Sequence, residues 1–394
     1  MLSFIDRLTR LFRAAPEAKD GSGSLVALQF QGAAAWRPRD YATFAREGYM
    51  ANPIVYRAVR MVAEAAASVP LDLFEDGREV SGHPLGELLA RPNSAQCQPE
   101  LLEAWYGFLM VAGNAYLEAV TIGGRLRELH ILRPDRMTVV PGADGWPSAY
   151  DYTVSGKTLR FHQEGEGVRP ILHQIFFHPL SDHYGLSPIE PAATSIDLHN
   201  AASTWNKVLL DNAARPSGAL VYAPGAGGHL TRDQFDRLKS ELEASFSGPR
   251  NAGRPMLLEG GLDWKAMALS PKDMDFIEAK NAAAREIALA MGVPPMLLGI
   301  PGDNTYSNFQ EANRMLWRQT VLPLVSRTAK ALSAWLGPSY GGSLELRPDL
   351  DSVEALSSER EALWARVEAA SFLTVDEKRA AVGYGGIGEG ELST

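Results

Sequence analysis

The sequence predicts an α+β protein in which short antiparallel strands are concentrated in the first half and long helices in the second. Three observations support this fold class. Between residues 71 and 162, short apolar runs alternate with glycine-containing turns, a pattern typical of β-hairpins. Two helix-start signals, Ser187-Pro188 and Ser270-Pro271, lie on either side of an insert with β-strand character. Pro323 lies inside a third long helical pattern and predicts a bend in that helix.

Composition sets bounds on the class of protein. The 394 residues are 45% apolar and 22% charged, as in ordinary globular proteins. The formal net charge of -9 argues against static nucleic-acid binding and weakly favours a conduit for moving DNA, although an ordinary soluble acidic surface explains it equally well. The single cysteine, Cys97, excludes an intrachain disulfide and a cysteine-based zinc site. No apolar run reaches the roughly 18 residues of a membrane span, so no membrane association is expected.

The first two regions differ sharply in composition. Residues 1–35 combine an amphipathic start with a linker rich in Ala, Gly and Ser, which predicts a flexible arm. In residues 36–185, Asn52 caps and Pro53 starts one helix, and a second helix is expected at about 99–111. The strands predicted here are 71–74, 115–122, 125–132, 137–140, 149–154, 159–162 and 174–177. Together these elements predict one antiparallel sheet carrying two helices.

Three histidines, His173, His178 and His183, follow one another at intervals of five residues. On a helix this spacing scatters the side chains, and on a strand it alternates their faces. We therefore interpret them as structural residues and predict no metal site.

Two long helices are predicted around the insert. Ser187, Pro188 and Glu190 form an N-cap, a first-turn proline and a capping-box carboxylate, so a helix is expected over 186–214, about 42 Å long. Leu198, Ala202, Trp205, Leu209 and Asn212 recur at steps of three and four, so they are predicted to lie on one face of this helix. The second helix, 270–292, starts at a similar signal and ends at Gly292. The predicted apolar face of this helix comprises Ile277, Ala284, Ile287, Ala288 and Met291.

The insert, residues 215–269, predicts a small α/β unit. Strands are expected at 217–222, 256–259 and 264–268, and a helix is expected from the capping box of Thr231 and Gln234. A glycine-rich loop carries Arg250 and Arg254. It lacks the G-x-x-x-x-G-K-[ST] pattern and does not run from a strand into a helix, so a phosphate-binding loop is not predicted.

Residues 293–308 predict a loop, since 299–305 are mostly Gly, Pro, Asp and Asn with little to anchor them. Ser307 and Gln310 form a capping box that starts a helix running to Leu336, with the bend near Val321, and a strand follows at 343–346 to complete the region 309–348. The last region, 349–394, predicts two short helices and a flexible tail. Their expected capping boxes are Ser358 with Glu361 and Thr374 with Glu377.

One motif with catalytic associations lies after the third helix. Gly337-Pro338-Ser339-Tyr340-Gly341 matches G-x-S-x-G, which acts as a nucleophile elbow only between a strand and a helix. Here it lies between a helix and a strand, so no catalytic residue is predicted.

The order of these elements resembles the core of tailed-phage portal proteins over about residues 36–383. The segments that carry the resemblance are Asn52-Pro53-Ile54-Val55-Tyr56, Tyr184-Gly185-Leu186-Ser187-Pro188-Ile189-Glu190 and Met291-Gly292-Val293-Pro294-Pro295-Met296-Leu297-Leu298-Gly299. The last two are specific to the compact portals of phages with long non-contractile tails, and the short chain also resembles portals of gene transfer agents.

The resemblance implies a portal-like fold with named parts. These are an arm (1–35), an antiparallel-sheet wing (36–185), a first stem helix (186–214), a clip (215–269), a second stem helix (270–292), a tunnel loop (293–308), a kinked tunnel helix with a strand returning to the wing (309–348) and a helical crown with a tail (349–394).

The implied function is structural. A ring of about twelve copies would form a channel at one capsid vertex, packaging and releasing double-stranded DNA and joining head to tail. The implied partners are the terminase large subunit, the major capsid protein and a head-tail adaptor, with assembly in the bacterial cytoplasm and no cofactor.

The resemblance also implies where DNA is met. The tunnel-loop candidates are Pro301, Asp303, Asn304, Thr305, Tyr306 and Asn308. Arg314 and Arg318 lie one turn apart and are DNA-facing candidates, although ordinary salt bridges explain them equally well. In the clip, Arg250 and Arg254 are candidates for contact with the packaging motor or the adaptor.

Two other classes remain open from the sequence. One is a different non-enzymatic head-tail adaptor, although adaptors are usually much shorter. The other is a serine hydrolase using Ser339, which would need a histidine that the chain order does not bring near it.

Overall fold

The computed structural model describes residues 40–164, 167–211, 218–222, 231–233, 236–237, 240, 262–266, 276–302, 305–341 and 343–385. Within these ranges the chain is a mixture of helices and antiparallel strands, which confirms the predicted α+β class. No helix in the described part of the chain is long and apolar enough to cross a membrane.

A helical segment, Tyr41–Thr43 with a π-helical continuation at Phe44–Met50, precedes the first long helix. The helices are α1 Pro53–Ala67, α2 Pro84–Ala90, α3 Gln98–Ala112, α4 Ala193–Asp211, α5 Phe276–Ala290, α6 Tyr306–Leu316, α7 Leu322–Leu336, α8 Ser357–Glu368 and α9 Val375–Val382. The strands are β1 Leu71–Glu75, β2 Arg78–Glu79, β3 Asn114–Ile122, β4 Arg125–Leu132, β5 Met137–Pro141, β6 Pro147–Val154, β7 Lys157–His162, β8 Ile171–Ile175, β9 Gly218–Tyr222, β10 Leu262–Ala266 and β11 Leu344–Pro348.

Helix α1 forms as its sequence predicts. The Asn52 side chain accepts hydrogen bonds from the amides of Ile54 and Val55, and Pro53 occupies the first turn. The predicted core-facing residues Val55, Val59, Val62 and Ala66 are all buried. This face packs against α3, whose residues Leu101, Trp105 and Leu109 are buried in the same core.

The prediction of one antiparallel sheet is wrong in its organisation. Among the described residues, the strands form three separate three-stranded antiparallel sheets, ordered β4-β3-β8, β5-β6-β7 and β11-β1-β2, and a two-stranded pair of β9 with β10. Hairpin signals identify neighbours along the chain, but β1 pairs with β11 and β3 with β8, which are distant in sequence. The predicted strand 174–177 is also misplaced, because β8 ends at Ile175 and Phe177 is exposed.

The first long helix begins later than predicted. Residues 188–192 form turns, and α4 starts at Ala193. In a helix capped by Ser187, the first intrahelical hydrogen bond would come from residue 191, but Pro191 has no amide hydrogen. The Ser187 hydroxyl instead donates to the carbonyl of Val111 at 2.7 Å and accepts from the amide of Ile189. The predicted end at Ala214 lies outside the described residues.

The predicted face of α4 is only partly correct. Ala202 is buried, but Leu198 and Trp205 are exposed, and Leu209 and Asn212 carry no described side chain. The buried side comprises Ser195, Ile196, His199 and Ala202. On α5, by contrast, Ala284, Ile287, Ala288 and Met291 are buried as predicted and only Ile277 is exposed. The predicted start of α5 at Ser270 lies outside the described residues.

The third long helix is interrupted as Pro323 predicts. A π-helical turn, Trp317–Val321, separates α6 from α7, and the amide of Leu322 bonds to the carbonyl of Trp317 five residues earlier. Pro323 cannot donate to the carbonyl of Gln319, and the wider turn accommodates this loss.

Besides the box at Ser187, two predicted capping boxes are wrong. Helix α6 is capped by Thr305 rather than Ser307, because the Thr305 side chain accepts from the amide of Asn308. Helix α8 begins at Ser357 after a 3-10 turn, without the box expected at Ser358. The box of Thr374 and Glu377 on α9 is confirmed.

Candidate functional site

The candidate site is the connection between α5 and α6, residues 291–305, together with the helices that hold it. The sequence suggested a loop with little to anchor it, but most of it is fixed to the fold. Gly292 ends the turn after α5 with φ of +67°, and residues Pro295–Leu298 form a 3-10 turn. The amides of Val293 and Ile300 donate to the carbonyls of Ala288 and Pro295, at 2.9 and 3.2 Å.

An apolar contact holds the middle of this connection. Ile300 is buried in a small cluster with Ala284 and Ala288 of α5, to which Ile54 and Leu298 add partly buried surface. Burying a side chain of this size is worth roughly 1.5–3 kcal/mol, enough to fix the connection against α5. The middle of the connection therefore packs directly on α5.

Two polar contacts fix the ends of the same connection. The Thr320 hydroxyl, on the π-helical turn, donates to the carbonyl of Gly292 at 2.6 Å. The Arg285 guanidinium, on α5, donates to the carbonyl of Pro301. The connection is thus held to both neighbouring helices.

The structure reassigns some of the predicted loop residues. Pro301 and Gly302 are exposed, and Thr305 is the N-cap of α6. Tyr306 and Asn308 belong to the first turn of α6 rather than to the loop, because Thr305 starts the helix earlier than the Ser307 box suggested. Tyr306 is 79% exposed. Asp303 and Asn304 lie outside the described residues.

The two candidate basic residues both have acidic neighbours in the same chain. Arg314 lies 3.5 Å from Glu311 on α6, and Arg318 lies 3.4 Å from Glu359 on α8. Arg318 is exposed and Arg314 is half-buried. Ion pairs at a protein surface are weak, each worth at most about 1 kcal/mol. Arg250 and Arg254 lie outside the described residues.

A polar network joins α4 to the start of α1. The Asn52 amide nitrogen donates to Asn200 Oδ1 at 2.9 Å and lies 3.2 Å from His199 Nδ1, and the Asn200 amide donates to the carbonyl of Glu47. His199 Nδ1 must accept in this arrangement, so its proton is on Nε2. Burial, with a smaller contribution from Lys280, lowers the pKa of His199, which favours this neutral form.

The segment before α4 is fixed by a close backbone approach. The Asn114 side chain accepts from the amide of Gly185 at 2.9 Å. A Cβ atom at Gly185 would lie 2.0 Å from the carbonyl oxygen of Gly113, so only glycine fits. Together with the Ser187 hydroxyl, these contacts dock the start of α4 on the junction of α3 and β3.

The histidines are not brought together as metal ligands, and the described residues contain no group of three or more His, Cys, Asp or Glu side chains suited to a metal. His173 stacks on Tyr116 with ring centroids 4.1 Å apart, and its Nε2 lies 3.1 Å from Asn114 Oδ1. Burial lowers the pKa of His173 to about 3. Ser339 lies in the 3-10 turn Gly337–Ser339 between α7 and β11, not on a strand-to-helix turn.

Comparison with known proteins identifies the family. The model of the family described as phage portal protein matches residues 53–383, most of the chain. The chain belongs to the phage portal protein family. Portal proteins are structural subunits of the virion head, where they form ring oligomers at the vertex that packages and releases DNA and joins head to tail, and this is the function of the chain.

This portal protein is similar to chains in gene transfer agent particles. It is 55% identical to a chain in the neck of the empty particle, solved with C6 symmetry, with a TM-score of 0.71 and coverage of 89% of this chain and 95% of that one. It is 54% identical to a chain in the neck of the native particle, solved with C12 symmetry, with a TM-score of 0.68 and coverage of 90% and 96%.

Similar sequences also occur in a bacterium and a phage. The portal protein is 42% identical over 348 residues to an uncharacterized protein of Rickettsia bellii, covering 88% of this chain and 90% of the relative. It is 27% identical over 337 residues to the portal protein of Enterobacteria phage HK97, covering 82% and 77%.

Sequence reasoning missed three residues of this site. Asn52 was recognised only as a helix cap, although a capping asparagine retains an amide that needs acceptors when it is buried. Arg285 and Thr320 gave no signal, because each acts on a backbone carbonyl that the sequence does not mark.

Proposed function

We propose that twelve copies of this portal protein form a closed ring whose central channel carries double-stranded DNA. The observation that carries this proposal is the 54% identity to a chain from a neck solved with C12 symmetry, over 90% of the sequence. A head-to-tail interface related by a rotation of that order closes on itself.

The proposed parts of the subunit follow the same likeness. Helices α4 and α5 are the stem, the surrounding sheets with α1 and α3 are the wing, β9 and β10 belong to the clip, and α8 and α9 form the crown. Helices α6 and α7 with the π-helical turn form the tunnel helix. The clip is proposed to present the surface for the terminase large subunit or the head-tail adaptor, and the major capsid protein is the proposed partner of the ring in the shell.

Exposed apolar side chains on the stem support a subunit interface there. Leu198 on α4 is 47% exposed and Ile277 on α5 is 73% exposed, while the opposite sides of both helices are buried within the chain. Large apolar residues on the outer side of a packed helix pair are typical of an interface between copies.

The test is the oligomeric state of the purified chain, alone and with the capsid protein, by native mass spectrometry and electron-microscope class averages. Leu198→Asp should reduce ring formation at least tenfold, because each subunit would bury a charge at its interface. Ile122→Asp, an exposed change in the β3 strand, is the matched control. Monomers under every condition, or rings unaffected by Leu198→Asp, would overturn this assembly.

We further propose that the segment from Pro301 to Asn308 faces the channel. The residues of this segment include no Lys or Arg, which suits weak contact with a moving duplex rather than a clamp on its phosphates. Tyr306→Lys would add one positive charge per subunit at an exposed position and should slow DNA exit from particles in a salt-dependent manner. Tyr306→Gln is the uncharged control. Equal exit rates for the two variants would contradict the placement of this segment.

Two finer assignments complete the proposal. Arg250 and Arg254 are proposed to contact the terminase or the adaptor, and charge reversal at both should weaken that binding without preventing ring formation. The chain is proposed to lack catalytic activity and to assemble in the bacterial cytoplasm. Esterase turnover that disappears in Ser339→Ala would disprove the first of these statements.

A further inference from the structure

We infer that Thr320 positions the α5–α6 connection through a hydrogen bond, here called the latch, that joins the π-helical turn to the end of α5. This inference rests on the proposed role of the α5–α6 connection in the channel. The observation behind it is a single side chain that joins two irregular backbone features: a left-handed glycine and a π-helical turn.

The contact is specific in its geometry. The Thr320 hydroxyl donates to the Gly292 carbonyl at 2.6 Å, a short and well-formed hydrogen bond. A Cβ atom at Gly292 would lie 2.7 Å from Thr320 Oγ1 and 3.3 Å from its methyl carbon. With φ of +67°, position 292 therefore requires glycine both for its backbone and for the approach of Thr320.

The π-helical turn is what presents Thr320. A turn with i→i+5 bonding contains one residue more than an α-helical turn, so it rotates the residues that follow relative to those before it. Pro323 favours the irregular turn by removing an amide, but it does not select where the extra residue lies. The bond from Thr320 to Gly292 selects this register, because a shift by one residue would carry the hydroxyl away from the carbonyl.

The latch acts together with the contacts described above. Thr320 holds Gly292, Ile300 is buried on α5, and the Arg285 guanidinium holds the Pro301 carbonyl. The connection from Gly292 to Pro301 is therefore held at both ends and in the middle, by contacts with α5 and with the tunnel helix.

Amide hydrogen exchange on the full-length chain tests the latch directly. Thr320→Val removes the hydroxyl and keeps the shape, and we expect the protected amides of Val293 and Ile300 to exchange about fivefold faster, as for the loss of one hydrogen bond. Thr320→Ser keeps the hydroxyl and should restore the exchange rates. Thr158→Val, which removes an exposed hydroxyl bonded to Thr153 on the neighbouring strand, is the matched control.

The outcomes separate the latch from the proposed function. Unchanged exchange at Val293 and Ile300 in Thr320→Val, or equal acceleration in Thr320→Ser, would overturn the latch. Faster exchange in peptides of α3 as well would indicate general destabilisation and would also overturn it. Selective faster exchange with unaltered DNA exit from particles carrying Thr320→Val would uphold the latch and overturn the role of this connection in the channel.

Discussion

Replacing Asn52 with alanine should destabilise the portal subunit by about 3 kcal/mol, because this side chain both caps α1 and holds α4. Its Oδ1 accepts from two amides of α1, at 3.0 and 3.2 Å, and losing such a cap costs about 1 kcal/mol. Its amide nitrogen faces His199 Nδ1 and Asn200 Oδ1. Alanine would leave these two atoms without their donor, at a cost of about 1 kcal/mol each.

Urea unfolding of the purified chain at one fixed protein concentration, followed by tryptophan fluorescence, measures this loss. Asn52→Asp keeps the cap but removes the donors, so it should cost about 2 kcal/mol. Thr374→Ala removes only an exposed cap on α9 and should cost about 1 kcal/mol or less. If Asn52→Ala destabilised the chain no more than Thr374→Ala, the network between α1 and α4 would not contribute to stability and the reasoning would be refuted.

Two further predictions concern pH and backbone. Burial lowers the pKa of His173 to about 3 in the folded chain, whereas in the unfolded chain it has the ordinary value of about 6.5. Between pH 7 and pH 5 the unfolded chain therefore takes up a proton at His173 and the folded chain does not. The free energy of unfolding should fall by about 2 kcal/mol over this range. His173→Gln should flatten this part of the profile measured by urea unfolding, and exposed His162→Gln should not. Gly113→Ala should cost more than about 2 kcal/mol in thermal unfolding, because its Cβ would lie 2.6 Å from the backbone of Leu186. Gly124→Ala, with a similar φ but open space around it, should cost only about 1 kcal/mol, and equal costs for the two would contradict the packing argument.

Local sequence patterns determined the elements with strong start and stop signals. The Asn52-Pro53 start and the buried stripe of α1 were correct, as were the hairpin of β3 and β4 and the end of α5 at Gly292. Each depends on neighbours within a few residues, such as a cap, a turn glycine or a helical period. The predicted start of α4 was wrong for a local reason that could have been used, since Pro191 lacks the amide hydrogen that would make the first hydrogen bond of the predicted helix.

Of the three segments that carried the resemblance, the two more specific ones acquired a physical meaning only in three dimensions. In the segment 184–190, Gly185 is required because the chain passes within van der Waals contact of Gly113, which precedes it by 72 positions. In the segment 291–299, Gly292 is required both by a left-handed turn and by Thr320 on another helix. Gly185 thus helps to dock the start of α4, and Gly292 ends the turn after α5, so both segments fix helix ends.

By itself, the sequence determined the α+β class, the order of most helices and strands, and the family, because these follow from periodicity and short-range signals along the chain. It missed the short helix α2 and the two-residue strand β2. Tertiary structure alone decided how the strands divide into sheets, which side of α4 is left exposed, and how the connection after α5 is anchored. Each of these depends on side chains meeting backbone groups that are remote in sequence, as Arg285, Asn52 and Thr320 do. A carbonyl group is present at every position, so the sequence cannot mark the one that a distant side chain will bind.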